Sequence, residues 1–156
     1  MNRLFYLCTV FMLFSVSCVF AQKQVDITSH KDESKVDSYM IPELQGTANN
    51  VPDDGHVWIL VQRKGFKGWY PQGGGERERP PQALQGKWTW TCVVYLGEVS
   101  DSYKGKYEIA VVVVNDEIHR KLEGYVQKAN QGIYVSIDFP KVIGSDYQKI
   151  IIVDRQ

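Results

Sequence analysis

The chain has 156 residues, 18 basic against 18 acidic side chains, and three cysteines. That length suits one domain with a hydrophobic core of its own. Balanced charge, with no basic stripe carrying interleaved aromatics, excludes an electrostatic nucleic-acid binder.

Met1-Asn2-Arg3 is a short basic start, and Leu4 to Phe20 is almost unbroken apolar. Val19-Phe20-Ala21 then presents residues that a signal peptidase accepts. Residues 1–21 therefore read as a secretory signal peptide, and residues 22–156 as a single exported domain. The expected location is the periplasm, the cell surface or the exterior. Ser15-Val16-Ser17-Cys18 offers a second fate, because it resembles a bacterial lipobox that would make Cys18 the lipid-bearing residue. Contact with a membrane is expected only in that case, or if the apolar segment is retained. Cleavage after Ala21 removes Cys8 and Cys18 and leaves Cys92 alone, so no internal disulfide is available. Cys92 alternates with Trp90 and Val94, which makes it a small buried hydrophobe.

Val25 to Thr28 alternates weakly and reads as an edge strand. A polar turn follows, and Val36 to Ala48 reads as a second strand with Pro42 at an edge or bulge. Asn49 to Gly55 is dense turn chemistry. His56 to Arg63 is apolar on both faces, with Val57, Ile59 and Val61 on one and Trp58 and Leu60 on the other; that marks a central strand. Trp69 to Gln72 is a short strand. Gly73 to Gly86, with three consecutive glycines and Pro80-Pro81, reads as a surface loop or a mobile flap. Lys87 to Leu96 alternates again, and Lys106 to Val114 is a second strand apolar on both faces.

At Asn115 the period changes. Ile118, Leu122, Tyr125, Val126 and Ala129 recur at helical spacing, Asn115 is placed as an N-cap, and Asp116 and Glu117 suit the first turn. One helix is expected over about 115–130, with Gly132 to stop it. Ile133 to Phe139 is either a short strand or an extended crossing, and Lys149 to Asp154 closes the chain as a strand. The fold class is mainly β: an immunoglobulin-like antiparallel β-sandwich of seven to eight strands with one late helix.

Several runs carry a resemblance in the same order. They are Val25-Asp-Ile-Thr-Ser-His-Lys-Asp-Glu-Ser-Lys-Val36, Leu44-Gln-Gly-Thr-Ala48, Val57-Trp-Ile-Leu-Val61, Trp69-Tyr-Pro-Gln72, Gly86-Lys-Trp-Thr89, Tyr95-Leu-Gly97 and Gly105-Lys-Tyr-Glu-Ile-Ala-Val-Val112. Over most of residues 24–114 the chain resembles bacterial secreted or surface immunoglobulin-like β-sandwich modules. The resemblance implies a stretch near Trp69-Tyr70 that joins two sheets, and a non-catalytic role in binding, adhesion or spacing. The helix over 115–130 departs from the plain pattern.

Chemistry is sparse. No HExxH, GxSxG or phosphate loop is present. His30 lies in a polar turn, and His119 is expected on the solvent side of the helix beside Arg120. His56 follows Asp53-Asp54, too few ligands to fix a metal, and Glu76 and Glu78 alternate with Arg77 and Arg79 as a self-neutralising loop. No catalytic residue, metal or cofactor is therefore assigned. The aromatics Trp69 and Tyr70 flank a turn and point to opposite faces, so one of them is expected near the surface. Together with Gln72, Glu76, Arg77 and Arg79 they form the expected ligand-binding edge, its partner a protein or a glycan. Two other readings stand beside this one: a small secreted hydrolase using Asp53, Asp54 and His56 or the Glu76/Glu78 pair, and a helix docking another chain through Ile118, Leu122 and Val126. A monomer is expected, because 135 mature residues need that apolar stripe for their own core.

Overall fold

The computed structural model describes residues 24–74 and 88–156. The described residues are mainly β, with two sheets and one α-helix. At its centre β4 (Gly55–Arg63) runs antiparallel to β7 (Gly105–Asn115), in unbroken register from Gly55 opposite Asn115 to Arg63 opposite Tyr107. β8 (Gln148–Arg155) pairs with the other side of β7, and β5 (Tyr70–Gly74) with the other side of β4. β2 (Ser34–Val36) completes this sheet in the order β2-β8-β7-β4-β5. The second sheet holds β1 (Val25–Ile27), β3 (Met40–Ala48) and β6 (Trp88–Tyr95) in the order β1-β3-β6.

One pairing departs from the antiparallel expectation, for β2 runs parallel to β8. The expected single strand over 36–48 is split. Val36 ends β2 in the larger sheet, and residues 37–39 carry the chain across to β3 in the smaller one. Gln156 N–H donates to the Val36 carbonyl at 3.1 Å and closes this edge. The β3 register shifts between Ile41 and Leu44, around Pro42, which has no N–H for a ladder bond.

The two faces of the β4–β7 pair enter two different cores. Val57, Ile59, Val61, Ile109, Val111 and Val113 face the smaller sheet, where they meet Leu44, Ala48, Trp90 and Val94. Trp58, Leu60, Ala110, Val112 and Val114 face the opposite way. They are covered by α1 (Asp116–Ala129) through Leu122, Ile118 and Val126, and by the chain that follows through Ile137, Phe139 and Val142. The stripe proposed for docking another chain is therefore packed on the protein's own sheet. The Asn115 carboxamide oxygen accepts from the Ile118 N–H at 3.1 Å, as an N-cap does. Past the helix Gly132 turns at φ +82°, where a left-handed residue ends a helix most easily. Residues 133–142 form an extended crossing that touches the sheet edge at one bridge, Trp69 opposite Ile137. Among the described residues no helix is long and apolar enough to cross a membrane.

Three side chains fix details of the sandwich. Trp90 is fully buried, and its indole N–H donates to the Thr47 carbonyl at 3.2 Å. Its ring lies over Gly46: a Cβ there would stand 2.0 Å from the indole and 2.1 Å from the Asp26 carbonyl oxygen. Tyr107, near the start of β7, donates its hydroxyl to the Tyr103 carbonyl at 2.6 Å, and burial pushes its phenol above the usual value. Arg155 is buried and donates to the Leu96 carbonyl at 2.8 Å and the Ser100 carbonyl at 3.3 Å. These bonds tie the end of β8 to the loop after β6. Cys92 is only partly buried, at the edge of the first core.

Gly46→Ala is expected to lower the unfolding free energy by at least ~2 kcal/mol, because neither the indole nor the β1 backbone can yield. Urea unfolding measures it; a loss below ~0.5 kcal/mol, the range of a surface substitution, would contradict the seating of Trp90. Tyr107→Phe is expected to cost about 1 kcal/mol in the same experiment.

Candidate functional site

The edge nominated from sequence divides on folding. Trp69 is 8% exposed. Its N–H donates to the Ile137 carbonyl at 2.7 Å, and the Ile137 N–H returns the bond at 2.9 Å. Its ring meets Phe139 edge-on at 5.0 Å. The extended crossing after α1 thus takes Trp69 into the second core. Tyr70, its neighbour, is 40% exposed. Gln72 is a stitch: its Nε2 donates to the Tyr70 carbonyl at 3.1 Å, and its Oε1 accepts from the Tyr95 N–H at 2.8 Å. It joins the β5 edge of one sheet to the β6 edge of the other. Glu76, Arg77 and Arg79, with Glu78, lie outside the described residues.

Tyr70 has company that the sequence did not reveal. Tyr125, on α1, has its phenol pushed above the usual value, first by burial and then by the neighbouring Tyr70 and Tyr134 hydroxyls. Tyr134 is 71% exposed, and Ile133 and Val135 beside it are exposed as well. Tyr125 on the C-terminal part of α1 thus lies within electrostatic reach of both Tyr70 and Tyr134.

A second constellation was missed. His119 does not face solvent; it lies on the sheet side of the helix and stacks on His56, ring centroids 3.8 Å apart and planes 8° from parallel. Residues 119, 122 and 126 share one helical face, so His119 belongs to the stripe of Leu122 and Val126. Trp58 projects from β4 beneath it, and its indole N–H donates to His119 Nδ1 at 3.0 Å. An accepting Nδ1 places the His119 proton on Nε2, which faces Glu123 Oε1 at 3.4 Å. His56, expected beside Asp53 and Asp54, instead has its Nε2 2.6 Å from Asp116 Oδ1. The His56 bond, ahead of all other causes, holds the Asp116 carboxyl below its usual value of 3.8.

This arrangement orders protons among ring nitrogens and carboxylates. Among the described residues no group of three or more His, Cys, Asp or Glu is arranged to hold a metal ion. The His56 ring is bonded to Asp116 at the N-terminus of α1. Comparison with known proteins finds no matching family model, no similar curated protein and no similar solved structure.

Asp116 ionises more easily folded than unfolded, so its bond to His56 adds stability above pH 3.8 that is lost as pH falls through the lower folded value. Unfolding free energy is expected to drop with acidification below that point. His56→Phe removes the donor and should flatten this part of the profile. A profile of equal slope in both proteins would show that Asp116 is not held by His56.

Proposed function

We propose that the chain is an exported, non-catalytic binding module of immunoglobulin-like architecture, and that it recognises a protein partner at the corner formed by Tyr70, Tyr125 and Tyr134. The carrying observation is that α1 packs on β5, which brings Tyr125 within electrostatic reach of Tyr70, and of Tyr134 at the start of the crossing. Exposed Ile133 and Val135 extend the corner with aliphatic surface. Aromatic rings beside aliphatic side chains suit the apolar centre of a protein interface better than the polar rim a sugar needs.

Strand order supports the immunoglobulin-like part of the reading. β1, β3 and β6 stand in the order of strands A, B and E, and β8, β7, β4 and β5 in the order G, F, C and C′. The hydroxyl of Tyr107, near the start of the F-like strand, bonds back to Tyr103 as a tyrosine corner does. Ile109 stands where such domains place the second cysteine. The apolar run Leu4–Phe20 with its Ala21 site supports export, to the periplasm, the cell surface or the exterior, with lipidation at Cys18 as the route to membrane attachment.

Cross-linking and affinity capture from envelope fractions test the corner. Wild type should recover a defined protein, and Tyr70→Ala/Tyr134→Ala should reduce its recovery about tenfold or more, the loss of roughly 1.4 kcal/mol or more expected when interface aromatics are truncated. Val99→Ala, at an exposed position of the loop after β6, should leave recovery unchanged. Equal recovery by all three proteins would remove this surface from consideration, and binding of a glycan array in place of protein would overturn the partner class.

A further inference from the structure

The histidine stack joins the one helix to the sheet, and its bonds depend on how many protons it carries. The His56 and His119 side chains are 16% and 18% exposed, while their carboxylate partners Asp116 and Glu123 stand 58% and 52% exposed. The rings are covered and the counter-charges are in water. With one proton on the pair, held at His56, Nε2 of that ring donates to Asp116 at 2.6 Å. An imidazolium stacked on a neutral ring brings no repulsion between cations.

A second proton has only His119 Nδ1 to bind, because the Nε2 of that ring already carries its hydrogen. That nitrogen is the acceptor for the Trp58 indole. Protonating it leaves two N–H groups facing each other at 3.0 Å, with the indole donor covered and unsatisfied. It also sets two cationic rings parallel at 3.8 Å. Glu123 offsets part of this, but at 3.4 Å and largely in water it is the weaker contact.

Other charged groups surround the stack. On the helix, Arg120 acts on Asp116 as a further cation, and Glu117 is occupied by Lys121 at 2.7 Å. From β7 the facing residues are Val112 and Val114, both apolar. From the crossing, Lys141 contributes a positive charge felt at Glu117. Asp53 and Asp54 in the turn before β4 are exposed.

We infer that the His56–His119 stack is an acid-released latch, holding the first half of α1 on the sheet while the pair carries at most one proton and releasing it when the second binds. Tyr125 lies further along the same helix, so release also moves one side of the tyrosine corner. That consequence rests on the binding reading above; the latch itself does not.

Amide hydrogen exchange on the full chain, corrected for intrinsic rates, tests the latch without any ligand. Between about pH 7.5 and pH 5, the range in which histidines titrate, protection of amides 119–126 should fall about tenfold or more, while β4 and β7 keep theirs. The Trp58 indole N–H resonance should shift with the same midpoint. His119→Asn keeps an acceptor oxygen near the place of Nδ1 but takes no proton, so its helix protection should not change with pH. Constant protection in wild type, or an equal fall in His119→Asn, would overturn the latch. If His119→Asn does not fold, the wild-type Trp58 resonance decides alone: a signal unmoved across the range overturns the proposal. A pH-dependent helix together with a Tyr70→Ala/Tyr134→Ala variant that still captures its partner would remove only the binding surface.

Discussion

Strands β4 and β7 are apolar on both faces, and the architecture follows from the need to cover both. Their inward side chains meet the smaller sheet; their outward ones, Trp58, Leu60, Val112 and Val114 with Ala110, need a second cover. Burial of each large side chain is worth roughly 1.5–3 kcal/mol, so four left in water would forfeit a sum comparable to the whole net stability of a domain. A two-sheet sandwich without further layers cannot supply that cover. Helix α1 and the crossing from Ile133 to Val142 supply it, and in the chain they lie between β7 and β8.

The polar cluster is a consequence of the same cover. Trp58 brings an indole N–H beneath the helix, and a covered donor needs an acceptor. A helix bearing only leucine and valine on its inner stripe would leave that N–H bare. His119 meets it with Nδ1, and His56 fills the space above by stacking. The attachment is therefore partly apolar, through Leu122, Ile118 and Val126, and partly a titratable contact.

Much of the scaffold was legible because it is periodic. Double-faced apolar runs marked β4 and β7 as central, and the change of period at Asn115 marked the helix within one residue of its ends. Sheet membership was not legible. Ser34–Val36 is too short to alternate informatively, so its crossing to β8 and its parallel direction appear only in three dimensions. Which of Trp69 and Tyr70 is covered was not legible, because the cover of Trp69, Ile137 and Phe139, lies far along the chain. The histidine pair failed for two reasons. His56 and Asp116 are sixty residues apart, beyond any local motif. His119 carried the right signal, three residues before Leu122, but Arg120 beside it suggested solvent. Of the nominated edge, Tyr70 stands at the surface, Gln72 joins the sheets and Trp69 is core.

Truncation of the side chain at the centre of the second core tests the two-sided covering of β4 and β7 most directly. Leu122 is 3% exposed and contacts the sheet from the middle of α1. If the helix is an obligatory cover, Leu122→Ala lowers the free energy of urea unfolding by about 2–5 kcal/mol, in a single transition seen alike by tryptophan fluorescence and far-ultraviolet circular dichroism. A change within ~0.5 kcal/mol of wild type, as for an exposed position, would mean that the outer face of β4 and β7 does not depend on α1.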